Sequence, residues 1–269
     1  VKIARILRNG KPAFGLLEGG FIRICAGAAT LEEVIGGRWE QSDWTTAESA
    51  QYLTPVPATG KIICVGLNYR DHAAEVGHAV PDYPPVFLRA ASSLLAHRRP
   101  MLLPLASMEL DGEAELAVII GKSAKHVTKA RALDYVAGYT CFNDATVRDF
   151  QRRSSQWTMG KNFDRTGALG PLIVTPDELP PGASGLRICL RVNGEIRQDS
   201  NTAEMVFDVA TLISLLSEVM TLEPGDVIAT GTPAGVGYAR KPPRFLKPGD
   251  VCEVEIEGIG RLINTFTDE

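Results

Sequence analysis

The chain has no apolar run near the roughly 20 residues that a bilayer-spanning helix needs. Its longest useful run, Leu116 to Ile120, is enough for one strand, so no membrane role is expected. The opening stretch, VKIARILRNGKPAFG, has basic residues but neither a long apolar core nor a small-residue cleavage site. The expected location is therefore the cytoplasm. An excess of one charge is also missing: 28 Lys+Arg stand against 32 Asp+Glu, a formal net charge of −4. No basic surplus draws the chain to nucleic acid or to an anionic membrane, and neither is an expected partner. The five cysteines, Cys25, Cys64, Cys141, Cys189 and Cys252, are odd in number and show no CxxC spacing. Each sits among apolar or small residues and reads as a buried, reduced thiol. None of the four histidines is at HxxxH spacing, which argues against a zinc site.

What is present suits an enzyme-sized globular protein. Of 269 residues 45% are hydrophobic and 22% charged, enough to bury a sizeable core and to exclude general disorder. Residues 1–56 read as a small β-rich domain. Lys2–Leu7 and Ala13–Leu17 are strands around the hairpin turn Asn9-Gly10, followed by a strand at Phe21–Cys25. A short helix at Leu31–Ile35 is capped by Thr30, and a second is expected over Thr46–Tyr52. TPVPATG marks a boundary near residues 54–60, after which 57–269 form the main domain. Strands are expected at Lys61–Val65, Pro85–Arg89, Glu113–Ile120, Val136–Phe142, Leu186–Val192, Val227–Thr230 and Val251–Ile256. Helices are expected at Phe207–Val219 and Thr146–Arg153. Many strands, Gly/Pro turns and few helices predict an α+β, β-dominated fold, a mixed β-sandwich roll.

Three places carry candidate chemistry. Glu113 and Glu115 open a strand and alternate onto one face with Ala117 and Ile119. Two adjacent carboxylates repel unless one is protonated or a cation lies between them; the alternative is an exposed strand end paired with surface cations. Asp144 follows another apolar strand, either as a helix cap or as a third carboxylate. Three oxygen donors suit a hard divalent cation with positions left for a chelating ligand. In GLNYRDHAAEVGH, Asn68 and Asp71 resemble a capping box, and His72 and Glu75 are then i, i+3 neighbours. Such a pair is either a surface contact or an oriented general base. The loop TGTPAGVG lacks a phosphate-binding lysine, but its backbone N–H groups and Thr230 and Thr232 suit a carboxylate or oxyanion, unless it is only a tight turn. Lys161, in WTMGKNFD, says little by itself.

Taken in order, GLNYRDHAAE, DGEAELAVIIGK, GYTCFNDATVRDFQ, GKNFD, LGPLIVT, VNGEIRQDSNT, LEPGDVIATGTPAGVG and FLKPGDVCEVEIEGIG resemble the fumarylacetoacetate hydrolase family over roughly residues 61–267. The first 55 or so residues look like the small extra domain of many bacterial members. The resemblance implies a homodimer with Mg²⁺ or Mn²⁺ held by Glu113, Glu115 and Asp144. It implies a His72–Glu75 dyad that activates water and Lys161 near a developing enolate. Arg148, Gln151 and Thr232 match positions that contact the substrate.

On that resemblance the expected activity is metal-dependent hydrolysis of a C–C bond in an acylpyruvate-like 2,4-diketo acid. The alternatives are a decarboxylase or tautomerase of a small 2-oxo dicarboxylate, or a member that binds a metabolite without turnover. Two departures stand out. Arg89 occupies a position where members often carry lysine, with Ala90 and Ala91 in place of prolines, and Gly112 stands where an aromatic residue or histidine is common. Arginine offers a planar fork that lysine lacks, so an inward-facing Arg89 would suit another acid group.

Overall fold

The structure is a computed structural model that describes residues 1–57 and 60–269; Ala58 and Thr59, inside the expected boundary segment, lie outside the described residues. It is β-dominated, with two main sheets. The larger runs in the order Glu40–Thr46, Phe21–Ala26, Lys11–Glu18, Lys2–Arg8, Gly167–Val174, Val136–Asp144, Ala114–Ile120, Val227–Ala229, Ile62–Val65 and Val86–Arg89, with Leu94–Ala96 pairing beside Gly167–Val174. The smaller runs Glu195–Asn201, Arg187–Val192, Val251–Ile256, Gly260–Asp268 and Met101–Leu103.

The core follows from strand alternation. Leu116, Val118 and Ile120 point into a cluster shared with Ile188, Leu190, Val254 and Leu262 of the smaller sheet. Ala117 and Ile119 face the other way, onto a cluster with Ile3, Phe14, Val56 and Ile173. A strand buried on both faces reads as a continuous apolar run, as AELAVII does. The N-terminal strands extend the same sheet, because Ile3 and Ala4 pair with Ile173 and Leu172. Asn9 and Gly10 both take positive φ, as their hairpin turn requires. Thr30 caps Leu31–Ile35 in a reciprocal box with Glu33.

Some expectations fail for identifiable reasons. Thr46–Tyr52 is not a helix. Thr45 and Thr46 pair with Ile22 and Phe21 in a strand, and Ala47–Ser49 turn under Thr46, whose hydroxyl accepts from the Ser49 N–H. The helix expected at Thr146–Arg153 shrinks to Arg148–Gln151, because Thr146 and Val147 pair with Asp111 and Leu110. The buried strand Gly167–Val174 was not anticipated, since Gly170-Pro171 reads as a break. Thr140 alone stands opposite Pro171, Leu172 and Ile173, so the extra residues bulge from the proline's own strand, and a bulge is where a proline fits in a sheet interior. All five cysteines are buried and free. Among the described residues no helix is long and apolar enough to cross a membrane.

Candidate active site

Antiparallel register assembles the acids. Ala114 lies opposite Asn143, which sets Glu113 against Asp144; the Asp144 N–H donates to the Glu113 carbonyl over 3.0 Å. Glu115, two residues on, returns to the same face. The three carboxylates, all buried, offer oxygens within 4.8 Å of one another. They line a cavity of about 380 Å³, whose other walls include His72, Arg148, Gln151, Lys161 and Thr232.

Cations balance most of this charge. The Lys161 ammonium donates to Glu113 Oε2 at 2.7 Å and to Asp144 Oδ2 at 2.5 Å. Burial alone would favour the neutral amine, but Asp144 and Glu113 outweigh it and raise the Lys161 pKa above its ordinary value. Arg148 lies 2.7 Å from Glu113 Oε1. Burial, the largest influence on Glu113, pushes its carboxyl up, yet Lys161 and Arg148 together bring it down to about 2. Glu115 differs. Burial first, then the charges of Asp144 and Glu113, push it well above the usual carboxylate range, and it accepts a hydrogen bond from the Gly231 N–H at 3.0 Å. Among the described residues no ion pair reaches it. A cluster of buried oxygens with one acid uncompensated fits a hard divalent cation.

Arg89 corrects an expectation. It is buried, but it faces the back of Asp144 rather than a ligand. Its Nε donates to Asp144 Oδ1 at 2.5 Å and its Nη2 to the Ala145 carbonyl at 2.6 Å, with the guanidinium against the Phe142 ring. One Asp144 oxygen is thereby fixed and the other left toward the cluster. Lysine has no fork to make both bonds. Arg89→Lys should weaken divalent-metal binding about 10- to 100-fold in a calorimetric titration, the usual effect of removing a partner that orients a ligand. Unchanged affinity would show that Asp144 needs no such support.

The His72 side chain enters from the short helix Arg70–Glu75. Its Nδ1 lies 3.2 Å from Glu75 Oε2, and Glu75 Oε1 accepts from the Gly235 N–H at 2.9 Å. A carboxylate only accepts, so in the neutral ring Nδ1 carries the hydrogen and Nε2 keeps a lone pair. Asn68 does not cap this helix. Its buried amide reaches the Phe207 and Thr230 carbonyls and accepts from the Phe207 N–H, tying the loop to distant backbone. Tyr69 stands at the cap without a side-chain bond.

The glycine-rich loop contributes through its backbone as well. Gly231 has φ +96°, and a Cβ there would lie 2.8 Å from Asn68 Cβ and 3.0 Å from the Val65 carbonyl, so only glycine lets its N–H reach Glu115. The Thr232 hydroxyl lines the cavity but is engaged within the protein, donating to the Ala114 carbonyl and accepting from Gln198. Gln151 accepts from Arg148 at 3.0 Å. Reading the sequence alone missed Phe87, Trp157 and Tyr238 on the cavity wall and Asp111 behind it. Of these only Asp111 had a legible signal: it alternates with Glu113 and Glu115 in DGEAE.

Residues 61–267 match the family described as Fumarylacetoacetate (FAA) hydrolase C-terminal. The chain is 44% identical over 240 residues, 88% of its length and 76% of the relative's, to a Bos taurus protein named oxaloacetate tautomerase FAHD2A, mitochondrial. Its fold superposes with a TM-score of 0.88 on a fumarylacetoacetate hydrolase of Exiguobacterium antarcticum, at 38% identity across 100% of this chain and 99% of that one. A 2-hydroxyhepta-2,4-diene-1,7-dioate isomerase of Mycobacterium marinum superposes at 0.84, with 32% identity over 100% and 98% of the two chains. With three quarters of its length inside one family match and such relatives on either side, this chain belongs to the fumarylacetoacetate hydrolase family.

Proposed function

We propose that the protein is a tautomerase of a small 2-oxo dicarboxylate of the oxaloacetate class, rather than first a C–C hydrolase. The observation that carries this reading is the 44% identity, over 88% of the chain, to a protein named oxaloacetate tautomerase. The cavity supports it, because it puts an imidazole with a free Nε2 and a buried ammonium around one small space.

In this reading Arg148 and Gln151 hold the acid next to the 2-oxo group. His72 Nε2 takes a proton from C3 of the substrate, and the electron pair of that C–H bond becomes the C2=C3 double bond. Negative charge passes to the C2 oxygen, which takes the proton back from the His72 imidazolium, so that the base is restored and nothing is gained or lost overall. Glu75 holds the ring and stabilises the imidazolium. Lys161 places a positive charge where the enolate oxygen develops. A Mg²⁺ or Mn²⁺ ion held by Glu113, Glu115 and Asp144 supplies further positive charge to stabilise that oxygen. Phe87, Trp157 and Tyr238 keep bulk water from part of the wall, which strengthens each of these interactions.

A second reading, hydrolysis of an acylpyruvate-like 2,4-diketo acid, draws on the fumarylacetoacetate hydrolase that shares the fold over the full chain. It needs the same dyad to activate water against a second carbonyl. The two part on substrate fate. Purified protein with Mg²⁺ or Mn²⁺, and with EDTA as control, should speed keto–enol exchange of oxaloacetate, followed by the ultraviolet absorbance of the enol, with no mass change by mass spectrometry. His72→Ala should slow the exchange by about 10²- to 10⁴-fold while metal still stabilises the fold. Cleavage of acetylpyruvate with oxaloacetate exchange unaffected would transfer the case to the hydrolase. Normal exchange by His72→Ala would remove its role as base.

A further inference from the structure

Asp111 is a fourth buried carboxylate beside the cavity, outside the cluster of Glu113, Glu115 and Asp144. The short pairing of Leu110–Asp111 with Thr146–Val147 holds it opposite Thr146, between Asp144 and Arg148 in sequence. Its Oδ1 accepts from the Gly237 N–H at 2.8 Å, and its Oδ2 accepts from the Tyr238 N–H at 3.1 Å and from Arg148 Nε at 3.0 Å. The loop is built around this acid. A Cβ on Gly237 would lie 2.5 Å from Asp111 Oδ1 and 2.1 Å from the Arg244 carbonyl. Tyr238, whose N–H donates to Asp111 Oδ2, lays its ring 4.4 Å from the Arg148 guanidinium.

Arg148 is thus held on three sides, by Asp111 at Nε, Gln151 at Nη1 and the Tyr238 face. Its Nη2 stands 2.9 Å from Asp111 and 2.7 Å from Glu113, yet it aims no hydrogen at an acceptor among the described residues, although the side chain is buried. A buried, charged nitrogen with undirected hydrogens is what an incoming carboxylate satisfies.

We propose that Asp111 is a positioning residue, which acts through Arg148. By anchoring Nε and docking Tyr238, it turns the guanidinium so that Nη2 meets the acid end of the ligand. It also shares the positive charge that would otherwise fall wholly on Glu113. This rests on the reading of Arg148 as the acid anchor, but not on which reaction follows.

The test is binding, not turnover. Oxalate, an unreactive dianion that imitates a 2-oxo acid, is titrated calorimetrically into the protein held in saturating Mg²⁺. The series is wild type, Asp111→Asn, Arg148→Gln and the double variant, each with its melting temperature. Asp111→Asn should weaken oxalate at least tenfold with the fold intact. The double variant should bind no worse than Arg148→Gln alone, because the two residues then act as one unit. A purely structural acid would give losses that multiply, and multiplied losses overturn the proposal, as does wild-type affinity in Asp111→Asn. Should Asp111→Asn not fold, Asp111→Glu, which keeps the charge but displaces it, takes its place in the same cycle. A protein that passes this cycle but fails to exchange oxaloacetate loses the tautomerase reading alone.

Discussion

Glu115→Gln should raise the melting temperature of the metal-free protein and abolish its response to Mg²⁺ or Mn²⁺. The two effects have opposite signs and one origin. In the folded chain burial, Asp144 and Glu113 raise the Glu115 carboxyl well above its usual range. A carboxyl raised on folding favours the fold below its unfolded pKa and loses that contribution as pH climbs through the folded value. At neutral pH the ionised form therefore weighs against folding, and an uncharged amide relieves it. Metal-free wild type should likewise gain stability as pH falls through that raised range, while Glu115→Gln should not. With the third acid gone, two carboxylates remain, both already paired to Lys161. Wild type should gain about 2.7 kcal/mol when metal stands at 100 times its Kd, a shift of several degrees, and the variant close to none. Turnover should fall at least about 10²-fold. A full metal response in Glu115→Gln would show that the ion binds elsewhere.

The sequence disclosed the parts of this site whose signal is local. Glu113 and Glu115 are two apart where the strand Ala114–Ile120 begins, and His72 and Glu75 one turn apart on a helix, so periodicity alone sets each pair on one side. Asp144 was legible because it ends an apolar strand. What joins these pieces is not local. Asp144 is paired with Arg89, 55 residues away, and Glu113 with Lys161, 48 away. Asn68 looked like a cap because its nearest neighbours suit one, but contacts 139 and 162 residues off claim its amide. Asp111 alternates visibly with Glu113 and Glu115, but its bonding was hidden for the same reason: it depends on a loop 126 residues later that reads as a simple turn. Fold class emerged from strand count, whereas Gly167–Val174 stayed hidden because a glycine and a proline speak against a strand until the bulge that houses them is known.

Lys161→Met is expected to produce the second large effect, and it separates charge balance from chemistry. The ammonium is buried between Glu113 and Asp144, and methionine fills a similar volume without charge. Removing one partner from a buried ion pair costs about 3–5 kcal/mol. The low end applies here, because Arg148 still faces Glu113 and Arg89 still holds Asp144. A divalent cation brings positive charge to the same carboxylates, so metal should stabilise Lys161→Met more than it stabilises wild type. It should not restore activity. An ion among the carboxylates replaces the missing charge for folding, but the positive charge that the proposed reaction draws from Lys161 is still absent, and turnover should stay at least about 10²-fold low. Thermal melts with and without Mn²⁺, run beside the oxaloacetate exchange assay, read both quantities. If metal restored stability and turnover together, Lys161 would be a counter-charge to the acids and nothing more. If turnover alone survived, the enolate would be stabilised by other groups in the cavity.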